Sequence, residues 1–256
     1  MSNLIQCEMM KLRKSVPLRI LFLLMLALGL VSSMSSLSYV NSPVQQELEI
    51  ALHGCDAFFS SLRDMPTIVM IGVLVLVFVV TNDFENRTIQ AAICAGHSRA
   101  AILISKMLAF AVGYLAVYLP YPLIRAVVQG MLMGFGAPVS AALIFKMAAS
   151  LIVILLSGMA VNSVVFWLAF TVRRSILVVG AGFVIAVLGT TALMSFTYSL
   201  PQLGSLLAYT PIGFFRELAL GNYTPALLGR AAGMDLAVLV LTLLFSHLCF
   251  RHEDIR

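Results

Sequence analysis

Long apolar runs separated by short charged stretches dominate the pattern along this chain. When the chain is divided at its charged residues, six runs have about the 20 residues that an α-helix needs to cross a bilayer. Runs such as 151–156 are continuously apolar and do not alternate as the strands of a membrane barrel do. The pattern predicts six transmembrane helices, at about 18–37, 65–81, 107–124, 147–172, 175–200 and 231–250.

The composition makes lipid the solvent for most of the chain. Hydrophobic residues make up 61% of the 256 residues and charged residues only 11%, whereas soluble domains have about 45–50% and about 25%. This composition excludes a water-soluble globule, and it also excludes a disordered chain, which needs low hydrophobicity and high charge. We therefore expect an all-α integral membrane protein in which residues 1–256 form a single transmembrane domain.

The distribution of basic residues predicts the orientation. The net charge of +5 does not indicate a nucleic-acid partner, because the basic residues lie in short clusters between apolar runs. With a cytosolic N-terminus, eleven of the 16 lysines and arginines fall on the inner side of the six-span arrangement and five on the outer side. This bias follows the positive-inside rule and predicts a multi-pass protein of the cytoplasmic (inner) membrane with both termini cytosolic.

The first apolar run has a second interpretation. A basic start, an apolar stretch and the serine-rich segment 32–36 also resemble a secretory signal peptide. The apolar run is closer to span length than to the shorter core of a signal peptide, so we expect a retained first span.

The cysteines do not indicate a metal or disulfide site. Cys7, Cys55, Cys94 and Cys249 have no ligand-type spacing, and only Cys55 falls on the predicted outer side. We expect four free thiols, no metal and no cofactor bound by this chain.

Residues 2–15 combine an apolar helical face with basic side chains. Ile5, Met9 and Leu12 recur at i, i+4 and i+7, with Lys11 and Lys14 turned away from that face. The spacing predicts an interfacial helix that lies along the inner leaflet. The alternative is an ordinary cytosolic tail that carries positive-inside charges.

Residues 82–106 concentrate charge in a chain that otherwise avoids it. A short helix is predicted from Thr88 to Ala95, with acids before its start and Gly96 placed to end it. Ser98 is predicted to cap a second helix that runs through Lys106 into span three. This segment would dock on a soluble partner or, alternatively, serve only as a polar connector.

These two segments resemble those of permease subunits of ATP-binding-cassette (ABC) transporters. The resemblance is to the exporter-type class with six spans, an N-terminal elbow helix and a coupling helix between spans two and three. It covers the layout of the whole chain, including its opening (8–13) and ending (250–255). The matching residues are Glu85, Thr88, Ser98, Arg99 and Lys106. Arg87 departs from the pattern, where a small or glycine-like residue is expected.

The resemblance implies partners and site residues. A separate ABC ATPase, which binds ATP and Mg²⁺, would dock on the cytosolic face, and a second permease subunit, identical or homologous, would complete the pathway. The residues expected to couple to the ATPase are Glu85, Arg87, Thr88, Gly96, Ser98 and Arg99. The residues expected to form the elbow helix are Glu8, Lys11, Arg13 and Lys14. The largely uncharged spans favour an amphipathic or hydrophobic cargo such as an antimicrobial peptide, a drug or a lipid-linked molecule.

The predicted outer side has two loops of interest. Residues 40–64 would form a small extracytoplasmic cap. Residues 201–230 are apolar but broken by prolines and glycines, which predicts short interfacial or re-entrant helices between spans five and six. Arg125, Arg216 and Glu217 are candidate charges at the outer mouth, although Arg125 would alternatively snorkel to the surface.

Two other function classes are open from the sequence. The chain lacks the GxxxxGK[ST] motif, so we expect no ATPase site of its own. An intramembrane hydrolase would use Ser157 with His247 as base, but the only acid in these spans, Asp235, is predicted near the outer face. An ion-coupled secondary transporter would need an ionisable group at mid-membrane, which the predicted spans lack.

Overall fold

The computed structural model describes residues 2–40, 53–189, 210–211, 213–214 and 224–252, and within these residues the chain forms helices and turns without a strand. Two helices end in a π-helical turn, at Val77–Thr81 and Val184–Gly189. The helices are α1 (Ser2–Lys14), α2 (Val16–Val40), α3 (Gly54–Ser61), α4 (Met65–Leu76), α5 (Asn82–Glu85), α6 (Thr88–Cys94), α7 (Arg99–Tyr118), α8 (Pro120–Met133), α9 (Ala141–Val172), α10 (Ser175–Phe183) and α11 (Pro225–His252).

Five helical stretches within the described residues are long and apolar enough to cross a membrane. They correspond to the first, second, third, fourth and sixth predicted spans, and they confirm an all-α membrane fold. Of the fifth predicted span, the structure describes the apolar helix Ser175–Leu188, and 190–200 lie outside the described residues. The five stretches are Val16–Ser36, Pro66–Glu85, Arg99–Met133, Ala141–Val172 and Pro225–Arg251.

The helices α9 and α11 run parallel to each other. Their side chains pair in increasing order along both helices: Ser157 with Asp235, Ser163 with Thr242, and Trp167 with Cys249. Because both helices run in the same direction, the chain has to return from one end of the bundle to the other between Val172 and Pro225. In a chain with six spans, the fourth and sixth cross the membrane in the same direction, so the parallel arrangement of α9 and α11 agrees with six crossings.

Two predicted spans have different limits in the structure. The third was expected at 107–124, but helix extends from Arg99 to Met133 with an interruption only at Leu119. The helix runs through Lys106 from its Ser98 cap, as predicted, and Glu8 and Asp83 neutralise the charge of Lys106 there. Pro120 begins the next helix, where its missing N–H costs nothing. The sixth was expected at 231–250, but α11 begins at Pro225. Residues 225–230 are therefore helical and do not belong to the predicted loop.

Helix α4 lies at the centre of the bundle and packs against three other helices. The Tyr114 hydroxyl of α7 donates a hydrogen bond to the carbonyl of Ile68, at 3.0 Å. A Cβ on Gly72 would lie 2.7 Å from Cγ of Asn162 in α9, so only glycine permits this approach. Gly182 of α10 likewise packs directly against Val73. Helices α2 and α11, by contrast, leave most of their apolar side chains exposed.

The two ends of the bundle differ. The α1 end carries α1, α6, the start of α10 and the end of α11, which are joined by the contacts described below. The opposite end carries α3, which approaches α8 so closely that a Cβ on Gly54 would lie 2.8 Å from Cα of Gly130. The Tyr118 hydroxyl of α7 also bonds to the carbonyl of Ser61 in α3, at 3.1 Å. We call this end the α3 end. It contains the part of the predicted cap that the structure describes.

Candidate coupling site

Two residues with positive φ delimit α6, the short helix of the 82–106 segment. Arg87 precedes the helix with φ = 57°, a conformation that glycine adopts most easily. Gly96 ends it with φ = 84°, where the amide of Gly96 bonds to Ile93 and that of His97 to Ala92. These two bonds form a Schellman motif. The expectation of a glycine-like residue at position 87 therefore has a backbone cause.

The residues around α6 adopt the local roles expected of helix caps. The Ser98 hydroxyl accepts a hydrogen bond from the amide of Ala101, at 3.3 Å, and so caps α7. The Thr88 hydroxyl donates to the carbonyl of Asp83, at 3.1 Å. Ser98 and the Schellman motif at Gly96 thus form the junction between α6 and α7.

A group of four charged side chains, two of them buried, joins this segment to α1. Lys106 is 2% exposed and contacts both Glu8, at 2.8 Å, and Asp83. Lys11 lies 3.0 Å from Asp83 and 3.6 Å from Glu8. We call Glu8, Lys11, Asp83 and Lys106 the charge cluster. Its two acids and two bases neutralise one another, and their attraction offsets the desolvation cost of burying Lys106 and Glu8.

Lys11 is the most exposed member of the charge cluster. Burial opposes its charge, but the hydrogen bond and charge of Asp83, with a contribution from Glu8, hold the pKa of Lys11 above its ordinary value. Lys11 therefore remains protonated across the physiological pH range.

Glu85 links the segment to α10. Its carboxylate accepts a hydrogen bond from the backbone amide of Ser175, the first residue of α10, at 2.8 Å. A carboxylate at this position satisfies a free amide and interacts favourably with the helix dipole. Glu85 thus joins the end of span two to the start of α10.

Arg99 links the segment to the end of α11. Its guanidinium donates to the carbonyls of Phe250, at 2.5 Å, and Arg251, at 2.9 Å, which are among the last carbonyls of that helix. It also lies 5.6 Å from the centre of the Phe250 ring. Phe250 in turn packs edge-to-face on Phe170 of α9 and Phe84 of α5.

The structure therefore brings the predicted coupling and elbow residues to the same end of the bundle. Glu8 and Lys11 belong to the charge cluster, whereas Arg13 and Lys14 are exposed. Glu85 and Arg99 have partners within the chain, so their charges do not in themselves require a docked protein. Arg87 is exposed and has no acidic partner among the described residues.

The candidate outer-mouth charges are not assembled in this way. Arg125 is only 8% exposed and lies beside the Tyr121 ring, with Cζ 5.9 Å from the ring centre. Its guanidinium is thus buried in protein rather than extended to the surface, which corrects the snorkelling alternative. Arg216 and Glu217 lie outside the described residues, as does most of the predicted re-entrant segment 201–230.

Asp235 occupies a position that the sequence analysis did not expect. It was placed near the outer face, but α11 begins six residues earlier than predicted, so Asp235 lies about 15 Å along the helix. It is fully buried and accepts a hydrogen bond from Ser157 in the middle of α9. The other carboxylate oxygen has no partner among the described residues. The sequence feature that could have identified this position is that Asp235 is a single acid within a long uncharged stretch.

This placement also bears on the hydrolase alternative. Ser157 donates to Asp235, while His247 lies twelve residues further along α11, about 18 Å away along the axis. Ser157 and His247 are therefore too far apart to act as nucleophile and base.

Comparison with known families agrees with this architecture. A family model described as "ABC-2 family transporter protein" matches residues 4–189, from α1 to the end of the helix that begins with α10. No curated protein gives a significant match. The matched region includes the charge cluster and the whole 82–106 segment, and it covers well over half of the chain. The chain therefore belongs to the ABC-2 family of transporter proteins, as a multi-pass membrane permease component that associates with an ABC ATPase.

Proposed function

We propose that this chain is the permease subunit of an ABC exporter in the cytoplasmic membrane. It would move an amphipathic or hydrophobic substrate, such as an antimicrobial peptide, a drug or a lipid-linked molecule, with energy from ATP hydrolysed by a separate subunit. ATP and Mg²⁺ would be bound by that ATPase and not by this chain. One observation carries the proposal: the 82–106 segment contacts three other helices, α1, α10 and α11, through charged or capping interactions.

The contacts of the segment determine which helices a docked ATPase would move. Asp83 and Lys106 contact α1 through the charge cluster, Glu85 contacts α10, and Arg99 contacts α11. The contacts of Lys106 resist separation most, because breaking them leaves its buried charge unpaired in an apolar setting. The contacts of Glu85 and Arg99 are more exposed and join the segment to α10 and α11 by hydrogen bonds at the helix ends. A displacement of α6 would therefore be transmitted to α1, α10 and α11 together, as switching between inward- and outward-open states requires.

The exposed face of α6 fits a protein surface. Ala91, Cys94, Ala95 and Gly96 are all exposed and small, so a partner backbone can approach closely. Arg87 is exposed at one end of this face. We propose that an acidic residue of the ATPase pairs with Arg87, which would contribute specificity and orientation more than affinity.

The orientation and assembly form part of the same proposal. Helix α1 and the end of α11 lie at one end of the bundle, and we propose that this end is cytosolic, as the distribution of basic residues predicts. The apolar faces of α2 and α11 are largely exposed, and a second permease subunit, identical or homologous, would cover part of them.

Affinity purification of the tagged chain from membranes of its own host tests this function. An ABC ATPase is expected to co-purify with the wild type, and the complex should hydrolyse ATP. Arg87→Glu should weaken co-purification about tenfold or more, because the partner acid would then face a like charge. The matched control is Arg174→Glu, an exposed arginine at the same end of the bundle. If Arg87→Glu retained the ATPase as well as the control does, α6 would not be the docking element.

The second candidate function is ion-coupled secondary transport, in which the buried Asp235 would be the ionisable group. Transport by the purified complex in proteoliposomes separates the two functions. An ABC exporter should require ATP and continue when a proton ionophore is added. A secondary transporter would stop with the ionophore, proceed without ATP and lose activity in Asp235→Asn.

A further inference from the structure

An apolar groove runs along the outside of the bundle between α1, α2 and α7. It has a volume of about 660 Å³. Two arginines lie at its α1 end, and the remaining lining is apolar. Its deeper part reaches Ala116 and Val117, near the middle of the helical stretch Arg99–Met133. The groove therefore extends from the amphipathic helix α1 toward the middle of the apolar stretch Arg99–Met133.

Gly113 keeps the floor of this groove low. A Cβ there would lie 3.4 Å from Leu12 and 3.2 Å from Val75, so a larger residue would have to push against both helices. The walls above it include Phe22 and Val112, both exposed in the described chain. The groove is thus open along its length and lined by side chains that prefer hydrocarbon to water.

The two arginines at its end are Arg13 and Arg19. The Arg19 guanidinium donates a hydrogen bond to the carbonyl of Arg13, at 2.8 Å, which holds the residues next to each other. Both side chains are exposed, and neither forms an ion pair in the part of the chain that the structure describes. Lys11, which lies on α1 with Arg13, differs from both arginines because it forms an ion pair with Asp83.

We propose that this groove binds an anionic phospholipid. The phosphate would contact the guanidiniums of Arg13 and Arg19, whose forked donors match phosphate oxygens. One acyl chain would lie in the apolar groove along Phe22, Val112 and Ala116. The adjacent positive charges, left without acids, explain the preference for an anionic headgroup, and the apolar groove explains the preference for a lipid over a soluble phosphate. The proposal rests on α1 lying at the membrane interface and not on coupling to an ATPase.

Native mass spectrometry of the purified full-length chain tests the proposal, with phosphatidylglycerol and phosphatidylcholine of identical acyl chains as probes. The wild type should retain phosphatidylglycerol preferentially. Arg13→Gln with Arg19→Gln should lower that preference about 25-fold, since each basic residue near a surface contributes a factor of about five. Ala116→Phe, which fills the groove but keeps both arginines, should reduce retention of phosphatidylglycerol by a similar factor.

The matched control removes two other exposed arginines from the α1 end, Arg174→Gln with Arg251→Gln. It should retain phosphatidylglycerol as the wild type does. If this control lost as much phosphatidylglycerol as the Arg13 and Arg19 variant, net charge alone would explain the binding, and the proposal would be overturned. Complete competition by glycerol 3-phosphate would show an anion site without an acyl-chain groove, and a disulfide between copies carrying Val112→Cys would show a second subunit there. Either result would also overturn it. None of these results would change co-purification of the ATPase, so the lipid-binding proposal and the proposed function are tested independently.

Discussion

The charge cluster at the α1 end and Asp235 in the middle of α11 both place charged side chains in the interior, but they differ in charge balance. In the charge cluster, two acids and two bases neutralise one another across α1, α5 and α7. Asp235 has a serine hydroxyl on one oxygen and no partner on the other among the described residues. Burial alone therefore does not define the role of a charged residue in this bundle. The balanced cluster joins helices, whereas a lone acid costs free energy whenever it is ionised.

Replacing the lysine of the charge cluster should have the largest effect. Lys106→Met leaves Glu8 and Asp83 close together without their shared buried partner, which should cost about 3–5 kcal/mol of stability. Thermal unfolding in detergent and the amount of protein in the membrane measure this loss. Adding Glu8→Gln and Asp83→Asn to the same variant removes the stranded charges and should restore most of the stability. An unchanged unfolding temperature in Lys106→Met would show that the charge cluster does not join α1 to the bundle.

The partner of Asp235 should have an intermediate effect. Ser157→Ala removes the one donor that Asp235 has among the described residues, which should cost about 1–3 kcal/mol. The same substitution in an Asp235→Leu background should cost much less, because no buried acceptor is left unsatisfied. Free energies of unfolding from SDS titration of the four variants measure the coupling. Equal costs in both backgrounds would mean that Ser157 acts only through packing.

Neutralising Asp235 should distinguish it from Asp83. Asp235→Asn keeps the shape and removes a charge that has no opposite partner, so stability should change by less than about 1 kcal/mol or increase. Asp83→Asn should destabilise the protein, because Lys106 loses one of its two acids. The same SDS titration compares the two. If Asp235→Asn were the more destabilising, Asp235 would have a cationic partner outside the described residues.

Arg87 gives a small effect of the opposite sign. Its φ of 57° costs an L-residue about 1 kcal/mol relative to glycine, and it has no acidic partner among the described residues. Arg87→Gly should therefore raise the free energy of unfolding by about 1 kcal/mol while weakening ATPase co-purification. Arg173→Gly is the matched variant, since Arg173 has the same φ. Arg173→Gly should raise the free energy of unfolding by less, because it also loses the contact of the Arg173 guanidinium with the Phe84 ring, whose centre lies 5.5 Å away.

Several local features followed correctly from the sequence because neighbouring residues decide them. Gly96 ends α6 because a residue in the left-handed conformation is needed there, and Ser98 caps α7 because its hydroxyl reaches an amide three residues on. The amphipathic spacing of residues 2–15 likewise identified a helix that the structure places at Ser2–Lys14. The structure does not include a membrane, so the interfacial position of that helix stays a prediction.

Other features depended on residues far apart in the sequence. Dividing the chain at charged residues placed the start of span three after Lys106, because the sequence does not reveal that Glu8 and Asp83 would neutralise this lysine. The same rule assigned Asp235 to an outer face, because the start of α11 at Pro225 has no charge to mark it. Glu85 and Arg99 were expected to face a partner protein, and only the fold shows that they reach Ser175 and the end of α11.

The sequence by itself determined that this chain is a helical membrane protein, since the cost of leaving backbone groups unpaired in lipid allows long apolar runs few other structures. It also determined the short helix and its glycine stop, because these depend on local backbone geometry. The tertiary structure alone decided which charges neutralise one another, which acid is left with a serine, and which arginines remain free to meet a lipid. Those outcomes depend on distances between helices, and in a low-dielectric interior a change of a few ångströms decides whether a charge is paired or isolated.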